Sequence, residues 1–169
     1  IYPIVCNKIF KRELFDNEKL RFKKGVWYED VEFIYRILPY LKKVGVIHEA
    51  FYYYIQHEGS IAHSINEHVY DYIDNMNGLM EFYQEEGVFD KYQKEFEFAY
   101  VRYSYATFIK TAIGFSKEKY LEAVDFAIKN VHKYFPKYRH NKYFYRSKKG
   151  IYLLMFNKTL AKLLYKIRS

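Results

Sequence analysis

The fold of this chain is decided by Tyr28–Arg36, with the sequence YEDVEFIYR. In and just after this stretch, apolar side chains recur at the i, i+3, i+4 and i+7 spacing of one helix face; they are Val31, Ile34, Tyr35 and Leu38. Glu29 and Asp30 open the predicted helix, where the positive end of the helix dipole favours an ionised carboxylate. Such an acid can accept a proton in catalysis, or it can only cap the helix, because Asp is a preferred N-cap residue.

On either side of this helix, residues 1–65 predict a series of short elements. Residues 1–10 lean towards β-structure, residues 11–15 predict a helical turn, and Pro39 marks the end of the helix that begins at Val31. Residues 44–47 and 50–55 are rich in β-branched and aromatic side chains. They predict two short strands.

Residues 66–169 predict about four helices. The signals are a capping box at 64–67, a stop at Gly87, a cap at Ser116 and a break at Pro136. The helices are expected over about 66–86, 90–113, 117–135 and 149–167. The expected fold is therefore α+β and mainly helical, with a small β/α unit at 1–65 and a helical unit at 66–169. Most of the aromatic side chains are expected to pack in the core.

Composition excludes several classes of protein. Half of the 169 residues are hydrophobic, which excludes a disordered chain, and no apolar run is long enough for a spanning helix. No signal peptide is visible, and the start at Ile1 is interpreted as a cut through a longer protein. The lone Cys6 excludes an internal disulfide, fits a reducing compartment and is expected to fill a small space in the core.

Charge is distributed unevenly along the chain. The net charge is +8, yet residues 126–169 hold 12 of the 28 Lys and Arg residues and none of the 20 Asp and Glu residues. In the last predicted helix, Lys158, Lys162 and Lys166 share one face. This helix can pack on the body of the protein or lie on an anionic membrane surface. Tyrosines alternate with basic residues over 133–146, so a nucleic-acid or partner-protein module is the alternative function.

Three segments together resemble the carboxyl-side half of the catalytic domain in bacterial family 2 glycosyltransferases, which have the GT-A nucleotide-sugar fold. The segments are residues 5–15 (VCNKIFKRELF), residues 20–33 with LRF and YEDVEF, and residues 50–61 (AFYYYIQHEGSI). Each segment is weak alone, but their order and spacing match the family over residues 1–65. Residues 66–169 resemble only the variable helical extension that such enzymes often carry.

The resemblance implies an inverting transfer of a sugar from a nucleotide-diphospho-sugar to an acceptor hydroxyl, in the synthesis of capsule or another surface glycan. Asp30 matches the family's catalytic base, and Glu29 is expected to support it or contact the acceptor. The acceptor is expected to be a glycan or lipid-linked, at the cytoplasmic side of the membrane. The full-length enzyme is expected to use Mg or Mn held by an Asp-x-Asp motif, which this sequence lacks. The 169 residues are therefore expected to be inactive alone and to hold no cofactor.

A second candidate site follows the tyrosine-rich segment. Gln56, His57 and Ser60 occupy positions that the resemblance associates with the donor diphosphate, although relatives commonly have Arg at the positions of Ile55 and His57. His63 can supply a metal-binding imidazole. The alternative is that these are ordinary loop residues.

Overall fold

The computed structural model describes residues 3–55 and 66–168, and these are mostly helical, with no strand among them. The α-helices of these ranges are α1 (Glu29–Ile37), α2 (Asp71–Glu85), α3 (Phe89–Arg102), α4 (Ile109–Ala112), α5 (Lys117–Tyr134), α6 (Lys148–Met155) and α7 (Lys158–Arg168). Short 3-10 helices lie at Arg12–Asp16, Leu38–Tyr40, Glu67–Tyr70, Tyr138–His140 and Lys142–Arg146. The mainly helical class expected from the sequence is confirmed.

The first part of the chain is organised around Phe33, which is fully buried on α1. Rings of three other phenylalanines surround it, with centroids 4.1–5.9 Å away; they are Phe10, Phe15 and Phe22. The predicted turn at 11–15 is a 3-10 helix, and α1 ends one residue before the 3-10 turn that contains Pro39. α1 packs on α2, so the first part shares a core with the helices that follow. The proposed division at residue 65 remains a prediction.

The strands predicted over 44–47 and 50–55 do not form. Both segments lack regular secondary structure, and their side chains are exposed. Val46, Ile47, Phe51 and Ile55 each expose between 69% and 74% of their surface. An isolated strand cannot satisfy its backbone groups, because the ladder hydrogen bonds need a partner strand. These segments have the β-branched and aromatic composition of strands, but residues 3–55 and 66–168 contain no strand with which they could pair.

The helix boundaries around α2 and α5 follow local sequence signals. The Asn66 side chain accepts a hydrogen bond from the His68 amide, so Asn66 caps the turn leading into α2, while the predicted cap Ser64 lies outside the described residues. Gly87 ends α2 with φ +67°, and the amide of Val88 donates to the carbonyl of Tyr83. This is the Schellman arrangement, which favours Gly. Ser116 caps α5 as predicted.

The second predicted helix is a continuous rod over residues 89–112, with a π-helical turn at Tyr103–Phe108 between α3 and α4. α3 packs against α2, α4 packs against α5, and the π-helical turn contacts both α2 and α5. A π-helical turn contains about one more residue than an α-helical turn. It lies where the buried face of the rod changes its packing partner.

The fourth predicted helix is two helices, so the single span of 149–167 was wrong. Phe156 has an extended backbone (ψ 129°) and a side chain that is only 2% exposed. The Asn157 side chain then accepts a hydrogen bond from the amide of Leu160 and caps α7. Placing Phe156 in the core interrupts the helix, and Asn157 starts the next one.

Aromatic side chains fill the core, as expected. Tyr100, Tyr105, Tyr120 and Tyr138 are almost fully buried. Several buried hydroxyls find partners: Tyr100 donates to the Asn77 side chain at 2.7 Å, and Tyr120 donates to the Ala161 carbonyl of α7 at 3.1 Å. The prediction for Cys6 was wrong, since its side chain is exposed. It lies in a loop that contributes little to the core.

Candidate functional site

The turn before α1 adopts a conformation that most residues avoid. Tyr28 precedes the helix with φ 61° and ψ 31°, and it is the one non-glycine residue at positive φ within the described ranges. A left-handed tyrosine costs on the order of 1–3 kcal/mol, so the surrounding structure must hold it in place. Such conformations occur most often at functional sites.

Helix α2 holds this turn through polar contacts on both sides of Trp27. The Trp27 amide donates to an Asp71 carboxylate oxygen at 2.8 Å, and the Asn75 side-chain amide donates to the Trp27 carbonyl at 2.9 Å. His68 contacts the same Asp71 oxygen through Nδ1, at 3.0 Å. The backbone that leads into Glu29 and Asp30 is thereby fixed to α2.

Two aromatic stacks reinforce these hydrogen bonds. The ring of Tyr28 lies parallel to the ring of Tyr72 with centroids 3.5 Å apart, and the Trp27 ring stacks on His68 at 4.8 Å. These contacts pair Trp27 with the 3-10 turn before α2 and Tyr28 with the first turn of α2. The direction of the first turn of α1 therefore depends on α2.

Asp30 lies in the first turn of α1 and is half-buried. Burial raises the pKa of its carboxyl, and the negative charge of Glu29 adds to this rise. A hydrogen bond from the Val31 amide, at 2.7 Å, and the ammonium group of Lys8 both lower the pKa, but burial prevails. The sequence predicted an ionised form favoured by the helix dipole, whereas the structure makes Asp30 a stronger base than a free Asp. Tyr28, not Asp30, occupies the N-cap position.

An open groove of about 590 Å³ lies next to this site, and Lys8 connects the two. Lys8 acts electrostatically on Asp30, and its side chain also lines the groove. The floor is apolar and includes Ile34 and Ile37 of α1. The rim is mainly basic, with Lys8, Lys11, Lys42, Lys43 and Glu13. Val44 and Gly45, at the start of the exposed β-type segment, close one end.

The structure brings together only part of the predicted site. Glu29 is exposed beside Asp30. The diphosphate candidates Gln56, His57 and Ser60, and the metal candidate His63, lie outside the described residues. Among residues 3–55 and 66–168, no three His, Cys, Asp or Glu side chains are grouped as a metal ion requires. These ranges therefore provide no ligand set for the divalent cation that the family resemblance implies.

Sequence reasoning missed the two polar residues that position the turn. Asp71, on α2, is half-buried and accepts the hydrogen bond from the Trp27 amide. Asn75 is 2% exposed. The two residues lie 44 and 48 positions from Trp27. No local pattern in the sequence reports a contact over that separation.

The basic carboxyl-terminal region is only partly free. Lys158 pairs with Asp125 of α5, with 2.6 Å between nitrogen and oxygen. Lys162 and Lys166 are exposed on α7. Of the aromatic residues between the basic ones, Tyr138 and Phe144 are buried in the core, whereas Tyr145 is exposed. No helix in the described part of the chain has the length and apolar character to cross a membrane.

Comparisons of the chain with protein-family models, with curated proteins and with solved structures find no match.

Proposed function

We propose that the chain is the carboxyl-side portion of an inverting glycosyltransferase, in which Asp30 accepts the proton of the acceptor hydroxyl. As that oxygen bonds to the anomeric carbon of the donor sugar, the bond from this carbon to the nucleoside diphosphate breaks. The proton moves to a carboxylate oxygen of Asp30, and the diphosphate leaves with the bonding electrons. In this proposal the described residues supply the base and the contacts that hold it in place, and none of them binds a cation.

The placement of Asp30 carries this proposal. A general base works best when its pKa lies closer to the operating pH than that of a free carboxylate. Burial moves the pKa of Asp30 in this direction. Its backbone is also held in place, because two hydrogen bonds and one ring stack connect the preceding left-handed turn to α2, and a second ring stack connects it to His68. A fixed base reduces the entropic cost of aligning it with the acceptor oxygen.

The exposed side chains beside the groove support the proposal that the 169 residues form only part of a catalytic domain. Residues 44–55 combine β-type side chains with exposure of half or more of each large apolar side chain, and Val44 and Gly45 of this segment line the groove. Apolar surface of this extent normally marks an interface. In this proposal a nucleotide-binding half of the enzyme supplies the strands that pair with 44–47 and 50–55, and also the donor site.

The test is Asp30→Asn in the full-length transferase, because the 169 residues are proposed to lack the donor site. Asparagine keeps the shape and the hydrogen bond to the Val31 amide but does not take up the proton. Transfer measured as glycosylated acceptor should fall by about two to four orders of magnitude, which is the range for loss of a general base. The dissociation constant of the nucleotide-sugar donor should stay within a factor of about two, since the fold is retained.

Asp74→Asn is the matched control, because Asp74 is an exposed acid on α2. It should leave the rate of transfer unchanged. If Asp30→Asn retains near-normal transfer, the base lies elsewhere and Asp30 only contributes to the start of α1.

A further inference from the structure

The two carboxyl-terminal helices expose apolar side chains where a solvated helix carries polar ones. On α7, Leu163 and Ile167 are one helical turn apart and expose 53% and 71% of their surface. On α6, Ile151 and Met155 are also one turn apart and expose 47% and 64%. Each pair adjoins lysines on its own helix: Lys162 and Lys166 on α7, and Lys148 on α6. An apolar stripe beside basic residues is typical of helices that lie in a membrane interface.

A cluster of positive charge adjoins α6. Lys149 lies within electrostatic range of Arg102, at the end of α3, and Lys110, on α4. Burial lowers the pKa of Lys149, and these two cations lower it further. The Nε of Arg102 is buried and has no hydrogen-bond partner among the described residues. Lys149 is therefore repelled by cations from two other helices, and an anion bound near Lys149 would offset this repulsion.

We infer that the exposed faces of α6 and α7 form a docking surface for an anionic lipid membrane. The lysines contact the phosphate headgroups, and the four exposed apolar side chains enter the interface between headgroups and acyl chains. Lys158 is not part of this surface, because it pairs with Asp125. The inference does not depend on the transfer reaction, since it rests on residues outside the candidate site.

A membrane fits this surface better than a nucleic acid does. Single-stranded nucleic acids need aromatic faces for base stacking, whereas the large apolar side chains that α6 and α7 expose are not aromatic. Exposed aliphatic side chains add nothing to phosphate binding, whereas they add burial in a lipid interface. The absence of acidic residues from 126–169 removes the repulsion that anionic lipids would otherwise exert.

The test is sedimentation of the 169-residue chain with vesicles of phosphatidylcholine alone and of phosphatidylcholine mixed with phosphatidylglycerol. Point substitutions are preferable to deletion of α7, because Ala161 and Tyr165 of this helix bond to α5 and to the segment before it. Lys162→Glu/Lys166→Glu should weaken binding to the anionic vesicles by at least about thirtyfold, from the contribution of two membrane-facing lysines. Leu163→Ser/Ile167→Ser keeps the charge and should weaken binding at least about tenfold.

Lys91→Glu/Lys94→Glu on α3 makes the same change of charge at exposed positions and should leave binding within about twofold of the unchanged protein. Circular dichroism melting checks that every variant folds. Equal sedimentation with both vesicle types would overturn the inference, as would a lack of binding to anionic vesicles. Competition with a single-stranded oligonucleotide is a further check. The inference would also fail if the oligonucleotide displaced the protein from vesicles and the Leu163→Ser/Ile167→Ser variant bound vesicles as tightly as the unchanged protein. That result would assign the surface to nucleic acid.

Discussion

At the scale of single residues, the left-handed Tyr28 and the charge of Asp30 both lower the stability of the folded chain near neutral pH. Tyr28 stays in a left-handed conformation because α2 holds both sides of the turn. Asp30 is half-buried, and its ionised form is less favourable in the folded chain than in the unfolded one. Local costs of this kind cluster at functional sites.

The cost of the Asp30 charge predicts that Asp30→Asn stabilises the protein near neutral pH. The folded pKa lies above the unfolded value, so the contribution of Asp30 to stability is present below the unfolded pKa and is lost as the pH rises through the folded pKa. An asparagine does not suffer this loss. Thermal melting should therefore show a higher Tm for Asp30→Asn near pH 7 and no difference well below 3.8, the ordinary Asp value.

Lys8→Met supplies the matched test of the same electrostatics. Because the Lys8 ammonium lowers the Asp30 pKa, removing it should raise that pKa further. The gain in Tm from Asp30→Asn near neutral pH should then be larger in a Lys8→Met background. An equal or smaller gain would show that Lys8 and Asp30 do not interact.

At the scale of helices, the packing of α6 on the 3-10 turn Lys142–Arg146 depends on one glycine. A Cβ at Gly150 would lie 2.0 Å from the carbonyl oxygen of Phe144. Phe144 is fully buried and contacts Tyr138 and Phe98, so its backbone cannot easily move away. Only glycine permits this close approach.

Gly150→Ala is accordingly expected to destabilise the chain by about 1–3 kcal/mol, the usual range for an overpacked contact. Gly78→Ala is the natural comparison, since Gly78 lies within α2 and its added Cβ would meet only the end of the Lys23 side chain at 3.8 Å. That variant should gain about 0.5–1 kcal/mol from helix propensity. Urea unfolding measures both. A neutral Gly150→Ala would mean that α6 can move away from the turn.

The sequence predicted elements whose signals are local and missed those that depend on distant contacts. The end of α2 at Gly87 and the N-cap of α5 at Ser116 could be predicted, because each depends on hydrogen bonds between residues a few positions apart. The break at Phe156 could not, because it depends on space in the core. The strands at 44–47 and 50–55 were predicted from composition, but strands also need partners, and composition does not report them. In the candidate site, the motif predicts Asp30 as the base, whereas no local pattern indicates the contacts of Asp71 and Asn75 with Trp27.

At the scale of the whole molecule, the helical core is continuous from α1 to α7. Besides the stripe on α6 and α7, the segment 44–55 also presents apolar side chains to solvent. An exposed apolar segment without a partner strand is expected to associate with another protein surface.

Substitution of Val46 and Ile47 by Thr distinguishes a covered face from a free one. In the 169-residue chain, where both residues are exposed, the double variant should change the free energy of unfolding by less than about 0.5 kcal/mol. In the full-length transferase, where the proposal covers them, it should cost about 1 kcal/mol or more. Ile167→Thr, at a similarly exposed position, should be neutral in both. No loss in the full-length protein would contradict the proposed interface.

The π-helical turn at Tyr103–Phe108 lets the long rod hold one residue more than a regular helix of the same orientation. Deleting one residue there should restore a regular helix and leave Ile109 and Ala112 facing the core, because the wider π-turn rotates less per residue. A second deletion would fall in regular helix and would rotate everything downstream by about 100°, the angle between successive residues of an α-helix. Ile109 and Ala112 would then turn away from their present partners, so the irregularity absorbs a single change in length and no more.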